Sequence, residues 1–176
     1  MEKIKIFFMK EKRLNWLIPQ APFHAHEDDR GFDLFCVGRE EAKDELGNII
    51  PRTWRYYSGL HFQFPEGIDA ELRMRSSIFK TGLFLSDGIG TIDHGYRGEV
   101  NGVFYQFLED SSRIYKPGDR FAQIVIPGVN PRDIEFIEIS KFRDETTRGS
   151  GGFGSTGRGQ PMQTVSGSLG ILGVCD

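Results

Sequence analysis

The feature that most constrains the fold of this 176-residue chain is a period-two alternation of apolar and polar residues. KIKIFF (3–8), IDAELRMR (68–75) and IEFIEI (134–139) alternate in this way, as half-buried strands do. Further stretches are rich in aromatic and β-branched residues, which favour sheet: FDLFCV (32–37), WRYYSGLHFQF (54–64), GVFYQF (102–107) and RFAQIVI (120–126). Short strands at this spacing, separated by turn sequences, predict an all-β sandwich or barrel.

Helical periodicity is weak throughout the sequence. The best helix candidate is REEAKDEL (39–46), which is short and mostly charged, and one helical turn is expected after RSSIF (75–79). The length fits a single domain.

Composition excludes several classes of protein. A net charge of −3 argues against broad nucleic-acid binding, which needs a basic surface. The longest uncharged apolar run, FAQIVIPGV, is too short to cross a bilayer, and the N-terminus lacks the features of a signal peptide. Cys36 and Cys175 do not suggest a disulfide framework or a zinc site, so free thiols in the cytoplasm are expected.

A glycine-rich segment, RGSGGFGSTG (148–157), is similar to two phosphate-binding loops. It fits G-x-G-x-x-G, and it fits a P-loop in which Ser155 stands in place of the lysine. Both loops must lead into a helix, and the sequence that follows, RGQPMQTVSGSLG, favours none. The segment is therefore predicted to be a flexible arm rather than a strand–helix corner.

Five stretches together, in this order and at these separations, resemble the five motifs of the trimeric dUTP diphosphatase (dUTPase) family. They are DRGFDL (29–34), RMRSSIFKTGL (73–83), GIGTIDHGYRGEV (88–100), GDRFAQIVI (118–126) and the glycine-rich arm. The resemblance implies a distorted jelly-roll β-barrel that assembles as a homotrimer, with active sites at subunit interfaces. It also implies hydrolysis of dUTP to dUMP and pyrophosphate, which would cleanse the nucleotide pool and supply dUMP.

Within the third motif, the resemblance makes Asp93 the residue that activates the attacking water. Taken alone, Asp93 could equally be a turn residue that caps a backbone N–H. Tyr96 would lie under the deoxyribose and exclude a 2′-hydroxyl, although an aromatic residue on a strand needs no such role. The remaining residues implied to contact the base or sugar are Asp87, Gly90, Thr91, Ile92 and Asn101.

The phosphate-binding residues come from the second and fourth motifs. Arg75, Ser76 and Ser77 are implied to bind the α- and β-phosphates through charge, hydroxyls and amides. Gln123 would reach the phosphates from a neighbouring subunit, or is an outward-facing polar residue of a strand. Asp33 is implied to lie near the metal, and a structural hydrogen bond would explain it equally well.

The arm is implied to close over the nucleotide. Phe153 would stack on uracil, a contact worth roughly 1–3 kcal/mol. Arg148 would pair with the γ-phosphate, while Gly154, Ser155 and Thr156 would wrap the phosphates. Mg²⁺ is the implied cofactor, held by substrate phosphates and water rather than by protein ligands.

The expected organisation is a jelly-roll domain over residues 1–145, the arm over 146–158 and an extension over 159–176. The extension is either disordered or, through its apolar LGILGV, docks on a partner protein or another subunit. One subunit is expected to supply residues 75–77, a second Asp93 and Tyr96, and the third its arm. The location is the cytoplasm, or the host-cell cytoplasm if the source is a virus.

Two alternative functions remain open. A related dCTP deaminase would need a glutamate at the position of Val103, which cannot shuttle protons. Asp87 stands where the family often has asparagine, and a carboxylate only accepts hydrogen bonds, so selection of uracil over cytosine is less secure than hydrolysis. The other alternative is a dUTP-sensing binding protein of the same fold, whose output is a partner protein.

Overall fold

The computed structural model describes residues 2–142, 144 and 146–152 of the chain. In that range the strands are β1 (Ile4–Lys10), β2 (Gly31–Phe35), β3 (Gly38–Lys43), β4 (Ile49–Gln63), β5 (Ala70–Arg73), β6 (Leu83–Leu85), β7 (Ile89–Ile92), β8 (Glu99–Gln106), β9 (Arg120–Val125) and β10 (Ile134–Glu138). Two short 3-10 helices, Ser76–Lys80 and Pro131–Asp133, are the helical elements of the described residues. The all-β prediction is confirmed.

The strands form two sheets. The larger has the order β10-β1-β4-β8-β6, with β3 paired to the first half of β4. The smaller has the order β2-β9-β5-β7. In the larger sheet β1 and β10 run parallel, and all other pairs in both sheets are antiparallel.

The core lies between these sheets, because the alternating apolar residues of each strand turn towards it. Ile6 and Phe8 of β1 are buried, as are Leu72 of β5 and Ile124 of β9. Aromatic rings fill much of the space, and Tyr56 packs in edge-to-face contact with Phe104 and Tyr115 and against the face of Phe121.

Gly59 interrupts the long strand β4, at the point where its pairing with β8 shifts register. Its φ of +67° is in the left-handed region, and a Cβ atom here would come within 2.4 Å of Pro19. Glycine thus lets the N-terminal segment cross the strand closely, and the amide of Glu11 donates to the Gly59 carbonyl at 2.8 Å. This crossing brings residues 11–13 next to the start of β8.

The helix predicted for REEAKDEL (39–46) is wrong, because residues 38–43 form β3. Pairing with β4 supplies the backbone hydrogen bonds, and Ala42 is buried while its charged neighbours face outwards. The carboxylate of Asp44 accepts from the amides of Leu46 and Asn48 at 2.9 and 2.8 Å and so fixes the hairpin turn.

Smaller differences concern short elements. The helical turn expected after RSSIF begins within it, at Ser76. Strands β6 and β7 have only three and four residues and were not predicted. No helix in the described part of the chain has the length and apolar character needed to cross a bilayer.

Candidate active site

Asp93 is the first residue after β7, at the start of the loop that leads into β8. Its carbonyl accepts a hydrogen bond from the amide of Tyr96 at 2.9 Å, and this bond closes a tight turn. The amide of His94 donates a hydrogen bond to the carboxylate of Asp69 at 2.7 Å, and this bond also holds the loop in place. The Asp93 side chain is 47% exposed, and its ion-pair partner in the described part of the chain is Arg148, at 3.3 Å. This carboxylate is available to a ligand.

The Tyr96 side chain is held in position by contacts at its hydroxyl end. Its ring lies across Gly98, where a Cβ atom would come within 2.3 Å of the hydroxyl oxygen. The hydroxyl donates to the carbonyl oxygen of Glu99 at 3.1 Å. Burial raises the pKa of Tyr96, so the hydroxyl stays a hydrogen-bond donor. The ring therefore forms a fixed wall beside Asp93.

A pocket of about 150 Å³, here called the hairpin pocket, opens in front of these two residues. Eight of the predicted site residues line it: Asp87, Gly90, Thr91, Ile92, Asp93, Tyr96, Asn101 and Arg148. Val103, at the position where a deaminase would need glutamate, also lines the pocket. The structure places these eight residues around one pocket of a single chain, whereas the sequence analysis assigns Arg148 to the arm of a different subunit.

Asn101 presents an oriented amide to the hairpin pocket. Its Nδ2 donates to the carbonyl oxygen of Glu99 at 3.0 Å, which fixes the direction of the amide. Its Oδ1 is buried and has no hydrogen-bond partner in the structure described above. A buried acceptor without a partner favours a ligand that donates to it.

Glu99 forms part of the pocket wall and was not singled out by the sequence. Glu99 is buried. Its carboxylate accepts hydrogen bonds from the amide of Gly59 at 2.6 Å and from Nη2 of Arg13 at 2.5 Å. Arg13 in turn stacks on the rings of Trp16 and Tyr57, each 4.8 Å away. Burial raises the pKa of Glu99, against the opposing effects of the Gly59 amide and the Arg13 charge.

A second pocket, here called the cationic pocket, has a volume of about 280 Å³ and lies beside the ends of β2, β5 and β9. Its lining includes the predicted residues Asp33, Arg75, Ser76 and Gln123, together with Arg30 and Arg73. Ser77 lines the adjoining pocket, where its hydroxyl lies 3.4 Å from Nη1 of Arg75.

Asp33 is the centre of an ion-pair cluster in this region. It is 7% exposed, and its two carboxylate oxygens accept from Nε of Arg75 at 2.8 Å and Nη1 of Arg120 at 2.9 Å. Gln123 pairs with Asp33 across the β2–β9 ladder, and its Nε2 donates to the carbonyl of Met74 at 3.0 Å. The geometry supports the structural interpretation of Asp33, in which it orients the two arginines.

Apart from Ser77, the predicted site residues that the structure describes are thus divided between two pockets of this chain. Asp93 and Tyr96 line the hairpin pocket, whereas Arg75 and Gln123 line the cationic pocket. A single chain does not bring these groups into one cavity.

The beginning of the predicted arm lies against the loop after β7. The hydroxyl of Thr146 donates to the carbonyl of Gly95, and the amide of Arg97 donates to the carbonyl of Gly149 at 2.8 Å. Arg148, expected at a γ-phosphate, lies beside Asp93 of its own chain, whereas the sequence assigns Asp93 and the arm to different subunits. Four predicted arm residues fall outside the described residues: Phe153, Gly154, Ser155 and Thr156.

The chain is similar to known proteins in sequence and in structure. The family model for dUTPase matches residues 20–157. The deoxyuridine 5'-triphosphate nucleotidohydrolase of Clostridium novyi (strain NT) is 36% identical over 138 residues, covering 77% of this chain and 89% of that protein. The protein of the same name from Alkaliphilus metalliredigens (strain QYMF) is 35% identical over 153 residues, covering 86% of this chain and 99% of that protein.

Among solved structures, the dUTPase of Staphylococcus bacteriophage 80alpha with dUPNHPP has a similar fold. The TM-score is 0.53 at 23% sequence identity, and the match covers 87% of this chain and 98% of the phage protein. The likeness extends over nearly the whole phage protein and concerns the fold.

Proposed function

This chain belongs to the dUTPase family, and we propose that it is a dUTP diphosphatase, which hydrolyses dUTP to dUMP and pyrophosphate. The observation that carries the proposal is the half-exposed carboxylate of Asp93 at the mouth of a pocket whose wall is the fixed ring of Tyr96. In the cytoplasm, or in that of a host cell, the reaction lowers dUTP and supplies dUMP.

The base and sugar occupy the hairpin pocket. The main chain of Gly90, Thr91 and Ile92 lies along this pocket and offers amides and carbonyls to the edge of uracil. The ring of Tyr96 takes the space that a 2′-hydroxyl would need, which excludes ribonucleotides. Asp87 contacts the base only as an acceptor, so uracil is selected chiefly by the main chain.

Asp93 performs the proton chemistry. Its carboxylate holds a water molecule in line with the α-phosphorus and accepts a proton from that water as the oxygen attacks. The new bond joins the water oxygen to the α-phosphorus, and the bond that breaks releases pyrophosphate. In the proposed trimer the arm of a third subunit brings Arg148 to the γ-phosphate.

The phosphates bind to residues of a neighbouring subunit in a homotrimer. Arg75 supplies charge, Ser76 and Ser77 supply hydroxyls and amides, and Gln123 supplies its amide. The separation of these residues from Asp93 within one chain supports a composite site. The arm completes the site, with Phe153 on the base and Gly154, Ser155 and Thr156 around the phosphates.

The donor set fits a Mg²⁺ ion carried by the substrate. Among the described residues no three His, Cys, Asp or Glu side chains are grouped as a metal site, and Asp33 is occupied by two arginines. Mg²⁺ commonly keeps its waters and binds phosphate oxygens. When bound, it would neutralise charge that develops on those oxygens.

Pyrophosphate release from dUTP, dCTP, dTTP and UTP, each with Mg²⁺, tests the proposed function. Release from dUTP alone is expected. Release from dCTP as well would show that Asp87 relaxes base selection, and a uracil product from dCTP would make the protein a deaminase. Tight dUTP binding without pyrophosphate release would instead support a dUTP-sensing binding protein.

A further inference from the structure

Glu99, the first residue of β8, contacts the hairpin pocket through its main chain. Its carbonyl oxygen accepts hydrogen bonds from the hydroxyl of Tyr96 at 3.1 Å and from Nδ2 of Asn101 at 3.0 Å. Both lone pairs of this oxygen are therefore engaged by side chains that line the pocket. The position of this one oxygen sets where the Tyr96 ring and the Asn101 amide lie.

The side chain of Glu99 is bound on the other side, where β4 is interrupted. The pairing of β4 with β8 shifts register within residues 57–61, so the row of backbone hydrogen bonds is broken there. The amide of Gly59 donates to the Glu99 carboxylate at 2.6 Å, and the hydroxyl of Ser58 donates to the carbonyl of Val100 at 2.5 Å. These two side-chain bonds join the strands across the interruption and hold the start of β8.

Arg13 is the second partner of the Glu99 carboxylate. Its Nη2 donates at 2.5 Å, and the Glu99 side chain is 6% exposed whereas that of Arg13 is 32% exposed. Loss of the arginine would leave a buried carboxylate without its counter-charge, which is a costly arrangement. The start of β8 would then shift or take in water to relieve that cost, and the Glu99 carbonyl would shift with it.

The N-terminal segment holds Arg13 in a fixed position. Asn15 has a φ of +66°, in the left-handed region that asparagine tolerates, and the amide of Trp16 donates to the carbonyl of Arg13 at 3.2 Å. In this turn the Arg13 guanidinium lies 4.8 Å from the ring centres of both Trp16 and Tyr57. A Cβ atom on Gly38 of β3 would come within 2.3 Å of Trp16, so the indole packs directly on the larger sheet.

We infer that Arg13 and Glu99 are positioning residues that set the preference for deoxyribose, because their ion pair holds the carbonyl oxygen to which Tyr96 is bound. The inference rests on the proposed function, in which the Tyr96 ring excludes a 2′-hydroxyl. Steric exclusion needs a wall that does not yield, and a displacement of about 1 Å is enough to make room for one more atom. Every contact in this route lies within the chain that supplies Asp93 and Tyr96, so each subunit of the proposed trimer holds its own ring.

Arg13→Met tests the inference, because methionine keeps an aliphatic stem over the two rings and removes the charge and the donors. The measurement is the ratio of the Kd values of a non-hydrolysable UTP analogue and the matching dUTP analogue, each with Mg²⁺, by calorimetry. The analogues share base and phosphates, so the ratio reports on the sugar, and an unfolded fraction of protein leaves it unchanged. We expect the preference for the deoxy analogue to fall by about tenfold. Arg13→Lys, which restores the charge without the planar fork, should recover part of it.

Two further variants define the route. Glu99→Gln should lower the same preference, and the double variant Arg13→Met/Glu99→Gln should lower it no further than the stronger single variant, because both break one ion pair. The matched control is Arg132→Met, which removes an exposed arginine paired with Asp28 and should leave the ratio unchanged. Additive losses in the double variant would show that the two residues act separately and would overturn the inference.

Tyr96→Phe separates positioning from a general structural role. This variant keeps the ring and removes the hydroxyl that binds the Glu99 carbonyl. In the Tyr96→Phe background, Arg13→Met should change the sugar preference by less than about twofold, because the link between the ion pair and the ring is already broken. A tenfold fall in this background as well would show that Arg13 acts on the pocket by another route, and the inference would be wrong.

A nucleotide-free readout comes from NMR of protein labelled with ¹³C in its tyrosine rings, in which the Tyr96 signal is identified by its loss in Tyr96→Phe. Arg13→Met should shift or broaden that signal, and Arg132→Met should not. An unchanged Tyr96 signal or an unchanged sugar preference in Arg13→Met would overturn the inference even if dUTP is hydrolysed. Absence of pyrophosphate release from wild type, with both expected changes in the variant, would overturn the proposed hydrolysis and leave the inference supported.

Discussion

Asp33 in the cationic pocket and Asp93 in the hairpin pocket have the same kind of side chain, but Asp33 is buried between two arginines and Asp93 is half exposed to solvent. Asp33 is 7% exposed, and both of its oxygens are taken by the guanidinium groups of Arg75 and Arg120. Asp93 is half exposed, and in the part of the chain that the structure describes it pairs with one guanidinium, that of Arg148, at the longer distance of 3.3 Å. The first carboxylate is fully engaged in holding arginines in place, whereas the second can exchange its partner for water.

The difference shows how one fold can divide the work of phosphate chemistry. A buried carboxylate with two ion pairs orients cations that can bind phosphate, and it gains nothing from further ligands. A carboxylate at the end of a short strand, with the solvent on one side, can accept a proton. If this comparison is correct, matched substitutions of the two residues should damage different properties.

The largest effect is expected for Asp93→Asn, which keeps the shape and removes the base. Turnover of dUTP should fall by about 10³-fold, within the range for loss of a general base. Binding of a non-hydrolysable dUTP analogue should change by less than about tenfold, since the pocket walls remain. Single-turnover kinetics and calorimetry measure the two quantities. Loss of binding equal to the loss of turnover would make Asp93 a structural residue.

Asp33→Asn should instead act on stability. Without the carboxylate, Arg75 and Arg120 lose their shared partner, and the free energy of unfolding should fall by about 2–3 kcal/mol, below the usual cost for a fully buried pair because both arginines are partly exposed. Urea unfolding measures the change, and Asp28→Asn, at an exposed ion pair with Arg132, serves as control. An unfolding free energy equal to that of the control variant would contradict the structural role.

The smallest effect concerns Glu99, in the wall of the hairpin pocket. Because burial raises its pKa above the ordinary 4.5, the folded chain binds this proton more tightly than the unfolded chain. Stability should therefore fall as pH rises from about 4.5 through the raised pKa, and the slope cannot exceed about 1.4 kcal/mol per pH unit for one proton. This decline should be missing in Glu99→Gln.

Glu11 provides a control of opposite sign. Its pKa is lowered, chiefly by the hydrogen bond from Arg13, so its contribution is present above the ordinary value of 4.5 and is lost as pH falls. Unfolding of wild type, Glu99→Gln and Glu11→Gln across this range separates the two effects. Identical pH profiles for the wild type and Glu99→Gln would show that the Glu99 proton is not linked to folding.

Local pattern predicted most of the sheet and failed where pairing is non-local. The alternation in 3–8 and 134–139 identified β1 and β10 because each strand buries one face. The sequence 39–46 carries charges at helix-like spacing, yet it becomes a strand because β4 offers it a continuous row of hydrogen bonds. No property of those residues taken alone reveals that partner.

The candidate site shows the same limit. The motif order predicts roles for Asp93, Tyr96 and Arg75, because each motif is a short stretch of consecutive residues. Glu99 and Arg13 are 86 positions apart, and their contact depends on the crossing of the N-terminal segment at Gly59. The separation of the two pockets likewise follows from the sheet topology rather than from spacing.

Single-turnover hydrolysis of dUTP in ¹⁸O-labelled water with Mg²⁺ shows whether Asp93 directs water to the α-phosphorus. We expect one ¹⁸O atom to enter the phosphate group of dUMP and none to enter pyrophosphate, and we expect Asp93→Asn to slow this incorporation without redirecting it. Label in pyrophosphate, or incorporation into dUMP at the wild-type rate in Asp93→Asn, would show that Asp93 does not have this role.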